Sequence, residues 1–150
     1  MEIPQEIGRN IMVIHRQLKL FLNRTLKTYG INYSEAVVLI NLFGEASTAQ
    51  EFLGKTQDQM NYCLRYDKSV MTRTMQSLET KGYVIRKPNP KDSRSYIFNL
   101  SGSSLELMPV LLSTFDRWNC ALTENISKES LNAIKLGLSV MAENATNIME

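Results

Sequence analysis

The sequence is poor in the residues that build metal sites and disulfide frameworks. Its 150 residues include one histidine, His15, and two cysteines, Cys63 and Cys120. Two cysteines so far apart predict neither a disulfide framework nor a zinc site with paired ligands. We therefore expect no metal, no cofactor and two reduced, partly buried thiols, with a thiol switch as the alternative.

Long apolar runs are also missing. No stretch reaches the roughly 18 to 20 consecutive apolar residues that a membrane span needs. The amino end carries Glu2 and Glu6, where a secretory signal would be basic. These features predict a cytoplasmic protein with no membrane partner. A length of 150 residues with 43% hydrophobic content fits one compact domain with an added dimerisation element.

Motifs for catalysis are absent as well. The chain has no glycine-rich phosphate loop and no serine, histidine and aspartate in a recognisable nucleophile context. We therefore expect no catalytic residues and no enzymatic activity.

Charge, in contrast, is unevenly distributed along the chain. Residues 55–100 contain nine basic and four acidic side chains, a net charge of +5, whereas the rest of the chain has a net charge of −3. A basic centre between acidic ends suits a protein that binds a polyanion with one face.

The amino-terminal part is patterned as two helices. Apolar residues in 3–29 recur at alternating steps of three and four, the period of an amphipathic helix. Gly30 stands where a left-handed helix cap is expected, and Ser34 is predicted to cap a second helix that ends near Phe43 or Gly44. Residues 44–55 show no clear pattern, and their structure stays open.

Two further helices are predicted in the centre, with a break at 64–66. Asp67 is the expected N-cap of the second one, and Gly82 ends it. Its inward stripe consists of Val70, Met71, Met75 and Leu78. Its other side carries hydroxyl, amide and cationic groups that suit base edges in a major groove: Lys68, Ser69, Thr72, Arg73 and Gln76. Two helices joined by a tight break indicate a helix-turn-helix, although a solvated helix face is the simpler alternative.

A hairpin follows this helix. Alternating residues predict antiparallel strands at 83–87 and 95–100. Pro88 and Pro90 lack amide donors, so we expect them to stop the ladder and leave a protruding loop instead of a tight turn.

Two terminal helical regions complete the chain. Ser101 is predicted to cap the first, which Pro109 should kink. Ser127 is predicted to cap the last helix, whose apolar residues form a heptad-like seam. We expect these regions to pack together and against a second copy, with burial of the last seam inside its own chain as the alternative. The seam consists of Leu131, Ile134, Leu138, Met141, Ala145 and Ile148.

The order of these elements and the segment 67–101, DKSVMTRTMQSLETKGYVIRKPNPKDSRSYIFNLS, resemble the MarR family of winged-helix transcription regulators. The matching landmarks are Leu78, Glu79 and Gly82, then Asp92, Arg94 and Ser95, then Leu100 and Ser101. The resemblance implies a mainly α (α+β) fold, a winged helix-turn-helix with a two-stranded β-wing. It implies one subunit over 1–150, with a DNA-binding lobe at 32–100 and a helical dimerisation region at 1–31 and 101–150.

The function implied by this resemblance is a homodimeric repressor of a pseudo-palindromic double-stranded DNA operator, released by a small aromatic or lipophilic anion. The wing arginine, Arg94, would enter the minor groove, and Asp92 would brace the wing by pairing with arginine. We expect Ser69, Thr72, Arg73 and Gln76 to contact the major groove. The expected phosphate contacts are Lys68, Lys87 and Lys91.

An effector site is the least defined of these expectations. The polar or aromatic candidates on suitable helices are His15, Arg16, Tyr29 and Trp118. The sequence departs from the family in a 44–55 linker longer than usual, and in a first helix without the cysteine of the peroxide-sensing branch. Two alternatives stay open: a thiol-redox regulator of the same fold, and a winged helix that binds proteins without binding DNA.

Overall fold

The structure, a computed structural model, describes residues 2–44 and 54–149, with side chains from residue 5 onward. The chain divides into two compact units, Met1–Thr114 and Phe115–Glu150, which are described separately. The elements follow in chain order: α1 Glu2–Thr25, a 3-10 turn Lys27–Tyr29, α2 Tyr33–Phe43, β1 Lys55–Thr56, α3 Gln57–Leu64, α4 Lys68–Thr80, β2 Val84–Asn89, β3 Asp92–Leu100, α5 Gly102–Leu122 and α6 Lys128–Asn147.

The mainly α winged helix-turn-helix predicted from the sequence is confirmed. α3 and α4 form the helix-turn-helix, and β2 and β3 form the wing. The division into a DNA-binding lobe at 32–100 and flanking dimerisation segments stays a prediction. Most of the segment at 44–55, whose structure the sequence left open, lies outside the described residues.

The prediction that Ser34 caps α2 is wrong. The N-cap is Asn32, not Ser34, because the Asn32 Oδ1 atom accepts a hydrogen bond from the Glu35 amide at 3.0 Å. The Glu35 carboxylate accepts one in return from the Asn32 amide at 3.0 Å, which completes a capping box. Gly30 has the left-handed conformation expected of it, with φ 66°, and ends the 3-10 turn after α1.

The core of the first unit is built where α1, α2 and α4 contribute apolar side chains. Met71, Met75 and Leu78, three of the four residues predicted for the inward stripe of α4, are at most 2% exposed. Val70, the fourth, is half-buried. Buried partners from the other elements include Leu22, Leu26, Val38, Leu39, Val84 and Leu111.

A short strand, β1, joins the wing and had no sequence signal. It pairs with β3 antiparallel, so that the sheet order is β1-β3-β2. Gly54 precedes it with φ 65°, and a Cβ atom there would lie 2.7 Å from the Phe98 carbonyl oxygen. Thr56 ends β1 and caps α3, since its Oγ1 accepts the Gln59 amide at 3.2 Å. The helix-turn-helix is therefore attached directly to the wing sheet.

The wing ends in a tight turn, which contradicts the expected loop. β2 continues through Pro88 to Asn89, and Asn89 pairs with Asp92, so only two residues lie between the strands. The ladder tolerates Pro88 because β2 is the edge strand, where one missing amide donor need not break the pairing with β3. A register shift at Pro88/Asn89 absorbs the extra residues of β3.

The predicted caps of the terminal helices are confirmed. The Ser101 Oγ accepts the Ser104 amide at 3.3 Å, and the Ser127 Oγ accepts the Ser130 amide at 3.1 Å. α5 continues through Pro109. In the second unit, no described side chain of α6 is buried, and Ile134 and Leu138 of the predicted seam are 44% and 49% exposed.

The exposure of the two thiols contradicts the prediction. Cys63 and Cys120 are both exposed, so the expectation of partly buried thiols was wrong. Among residues 2–44 and 54–149, no helix is both long enough and apolar enough to cross a membrane.

Candidate nucleic-acid interface

The outer face of α4 has the exposure that a recognition helix needs. Lys68, Ser69, Arg73 and Gln76 are exposed, and Thr72 is half-buried. Asp67 precedes the helix, and its carbonyl accepts the Met71 amide at 3.0 Å. Its carboxylate makes no capping hydrogen bond, contrary to the prediction, so the side chain of Asp67 leaves the first-turn amides of α4 uncapped.

A groove of about 310 Å³ separates α4 from the wing. Lys68, Thr72 and Gln76 line its helix side, and Arg94 lines its wing side. The structure therefore brings together four of the nine predicted DNA-binding residues. The remaining five, none of which lines this groove, are Ser69, Arg73, Lys87, Lys91 and Asp92.

Hydrogen bonds fix the hydroxyl of Thr72. It donates to the Lys68 carbonyl at 2.9 Å and accepts from the Gln57 side-chain amide at 2.6 Å. Its capacity to read a base edge is reduced, which leaves the methyl group as the part suited to apolar base contact. Gln57 ties α3 to α4 here, and sequence reasoning missed it because a lone glutamine at the start of a helix has no pattern.

Arg73 lies along its own helix. Its Nε donates to the Ser69 carbonyl at 3.4 Å, and the residue borders a second, shallow concavity. The rest of that concavity is formed by Asn32, Ser34, Glu35, Val70, Thr74 and Ser77.

Arg86 connects the wing to α4 and was also missed. Its Nε lies 3.3 Å from Glu79 Oε1, and its guanidinium stacks 4.5 Å from the centre of the Tyr96 ring. Arg86 pairs with Phe98 in the ladder, so Tyr96, two residues away, shares its face of the sheet. That alternation is the signal from which the contact could have been found.

The wing tip is held by backbone contacts. Asp92 Oδ1 accepts the Arg94 amide at 2.9 Å, and Asn89 Oδ1 accepts the Lys91 amide at 3.0 Å. Among the described residues, Asp92 forms no ion pair with an arginine side chain, so the expected carboxylate–guanidinium brace is replaced by this backbone contact. The side chains of Lys87, Lys91 and Arg94 are exposed.

A buried carboxylate fixes the other end of α4. Glu35 is 0% exposed, and its oxygens accept from Ser77 Oγ at 2.6 Å and from Lys81 Nζ at 2.7 and 2.9 Å. Burial raises the pKa of Glu35, but hydrogen bonds from Lys81, Ser77 and the Asn32 amide outweigh it, so the pKa lies below its usual 4.5. The end of α4 is thereby attached to the start of α2.

The four candidate effector residues do not line either concavity. In the first unit, His15 packs edge-on against Tyr33 with ring centres 5.6 Å apart, and Arg16 is exposed. Tyr29 is 42% exposed, and its carbonyl accepts from the Tyr83 hydroxyl at 3.1 Å. Trp118, in the second unit, is half-buried. The effector site stays a prediction.

Comparisons with known proteins agree with this geometry. A family model described as transcriptional regulator SarA/Rot matches residues 20–109. The crystal structure of a MarR transcriptional regulator from Methanosarcina mazei Go1 is similar over 96% of this chain and 99% of that one, with 26% identity and a TM-score of 0.82.

Two further relatives are more distant in sequence. The HTH-type transcriptional regulator BilQ of Clostridioides difficile (strain CD3) is 21% identical over 91% of this chain and 88% of its own. The S. aureus MepR–DNA complex has the same fold, with 21% identity, a TM-score of 0.80 and coverage of 91% and 96%. The family match spans more than half of the sequence, and the MarR-type resemblance is confirmed. This chain is a winged-helix DNA-binding transcriptional regulator, and it belongs to the SarA/Rot family.

Proposed function

We propose that two copies of this chain bind one pseudo-palindromic duplex, each with α4 in a major groove and Arg94 in the adjacent minor groove. The observation that carries the proposal is the groove between α4 and the wing, where Lys68, Gln76 and Arg94 surround one space. Amide and cationic groups on an exposed helix face suit base edges, and a narrow minor groove attracts arginine.

The exposed side chains divide into two roles. Ser69, Arg73 and Gln76 contact base edges, with the Thr72 methyl group beside them. Lys68, Lys87 and Lys91 contact phosphates and supply binding that is independent of sequence and weakened by salt. Asp92 acts indirectly, because its carboxylate fixes the backbone that carries Arg94.

Dimerisation is supported by the apolar residues that the terminal helices expose. In α1, Ile11 and Met12 are 42% and 72% exposed, and in α6, Leu136 is 71% exposed. Large apolar surfaces exposed on several helices usually mark an interface with another protein. Burial against a second copy of the same chain is the simplest explanation. Two recognition helices related by a two-fold axis should meet major grooves about 10 base pairs apart.

We further propose that the protein is a repressor and that a bound ligand releases it from DNA. The resemblance to MarR-type regulators suggests a small aromatic or lipophilic anion as the effector. His15, Arg16, Tyr29 and Trp118 remain the candidate contacts, because rings can stack on an aromatic effector and a guanidinium can pair with its negative charge. Operator binding is measured with and without each member of a panel of small aromatic carboxylates such as salicylate. Loss of binding would identify the protein as a ligand sensor, and unchanged binding would identify a constitutive regulator.

Selection of binding sites from random duplexes tests the central claim. We expect enrichment of an inverted repeat and an affinity that falls with salt. A winged helix that serves only protein contacts would enrich no sequence and show no salt dependence on any duplex. Size measurement of the protein–duplex complex then establishes whether two copies bind.

A further inference from the structure

The turn between α3 and α4 contains an arginine in a conformation that favours glycine. Arg65 is the residue that ends α3, and its φ is 52° with ψ 33°, the left-handed region. Its amide donates to the Asn61 carbonyl at 2.8 Å, as a helix C-cap does. Glycine is the usual residue here because a Cβ atom raises the conformational energy. A non-glycine residue in this conformation carries backbone strain, and such strain clusters at functional sites.

The Arg65 side chain stacks on a neighbouring aromatic ring at the surface. The Arg65 guanidinium lies 4.4 Å from the centre of the Tyr62 ring, one turn back on α3. Both residues are exposed, and Tyr62 is 70% exposed despite its size. Among residues 2–44 and 54–149, no carboxylate forms an ion pair with Arg65. Stacking on the ring restricts the orientation of the guanidinium and leaves its N–H donors available.

The location fits a phosphate contact. In a helix-turn-helix, the first helix crosses the DNA backbone while the second lies in the major groove. Arg65 stands at the end of the first helix, three residues before Lys68 at the start of the second. We propose that Tyr62 and Arg65 form a phosphate clamp, in which the ring orients the guanidinium toward one backbone phosphate of the duplex. The inference rests on the proposed duplex binding and adds two residues to it.

The clamp is tested with a variant that the backbone favours. Arg65→Gly removes the guanidinium and relaxes the left-handed residue, so the unfolding midpoint should stay unchanged or rise. Affinity should fall roughly five- to ten-fold near 0.1 M salt, equally for selected and scrambled duplexes, and the salt slope should fall by about 0.9. Arg65→Lys should keep the slope, because it keeps the charge. Tyr62→Leu removes the ring that orients the guanidinium and should weaken binding about two-fold.

Two controls separate the causes. Asn125→Gly relaxes the other described non-glycine residue with positive φ, 62°, without loss of charge, and should leave binding unchanged. Lys27→Ala removes an exposed cation remote in sequence from the helix-turn-helix and should leave the salt slope unchanged. Wild-type affinity and slope in Arg65→Gly, or a loss confined to the selected duplex, overturns the clamp. If the wild-type protein itself shows no salt-dependent duplex binding, it is the proposed function that fails.

Discussion

Lys81, the C-cap of α4, lies 2.7 Å from Glu35 in the first turn of α2, and the same ammonium group donates to the Gly30 carbonyl at 2.7 Å. Glu35 also accepts from Ser77, so two residues of α4 converge on one buried carboxylate. Because an unpaired buried charge is costly, this arrangement fixes the orientation of α4 on α2.

Glu35 should make stability depend on acid. Its folded-state pKa is lowered from 4.5, so it contributes stability that is present above about pH 4.5 and is lost as pH falls through the folded-state pKa. Urea unfolding of the wild type and Glu35→Gln between about pH 3 and pH 7 measures the difference. We expect the gap in free energy of unfolding to be largest near neutral pH and to narrow in acid. A gap that is constant across this range contradicts the assignment.

Substitution of Arg73 and substitution of Lys91 should affect DNA binding in different ways. Arg73→Ala is expected to weaken binding to the selected site by about 1 to 3 kcal/mol and to relax preference at particular bases. Lys91→Ala should weaken all duplexes alike and reduce the salt slope by about one unit. Fluorescence anisotropy on matched and mismatched duplexes at several salt concentrations measures both. Identical behaviour of the two variants would show that the assigned roles are wrong.

Asp92 should affect DNA binding through the backbone of Arg94. Asp92→Ala removes the acceptor of the Arg94 amide, so its affinity loss should resemble that of Arg94→Ala. Asp92→Asn is the matched control, because it keeps a side-chain oxygen while removing the charge, and should retain most of the affinity. Titration of each variant against the selected duplex checks the order. Full affinity in Asp92→Ala would exclude the bracing role.

Gly54 should tolerate no side chain. An added Cβ would clash with Asn99 Oδ1 and would lie 2.7 Å from the Phe98 carbonyl oxygen, at a residue with φ 65°. Gly54→Ala should therefore lower the free energy of unfolding by about 2 kcal/mol or more, whereas strain alone costs about 1 to 2 kcal/mol. Gly82→Ala measures the strain alone, since φ is 78° and nothing lies within 4 Å. Equal losses in urea unfolding of the two variants would show that the close approach is unimportant.

Local patterns were sufficient for most helices and for the caps Ser101 and Ser127. They failed where two capping candidates compete over a few residues: Asn32 wins over Ser34 because Glu35 is placed to complete a capping box with Asn32. The prediction that the prolines stop the strand ladder was also wrong, because it depended on information beyond the local sequence. A proline interrupts the hydrogen bonding of a central strand but is tolerated in an edge strand. Pro88 lies in an edge strand only because the sheet order is β1-β3-β2, which the local sequence does not reveal.

The exposed face of α4 was predictable because helical periodicity separates Lys68, Ser69, Arg73 and Gln76 from the buried stripe. The contacts between different helices and strands could not be predicted from the sequence. The pair of Arg86 with Glu79, the bond from Gln57 to Thr72 and the link from Lys81 to Glu35 join residues 7, 15 and 46 positions apart.

The sequence by itself therefore determined the order of the helices, the helix-turn-helix, the two strands of the hairpin and the basic centre, because periodicity, turn residues and charge are local properties of the chain. Only the tertiary structure decided how Asp92 holds the wing, which hydroxyls of α4 are already occupied, and that Arg65 stacks on Tyr62 in a left-handed turn. Those outcomes depend on backbone conformation and on contacts made when separate elements pack, which no local pattern specifies.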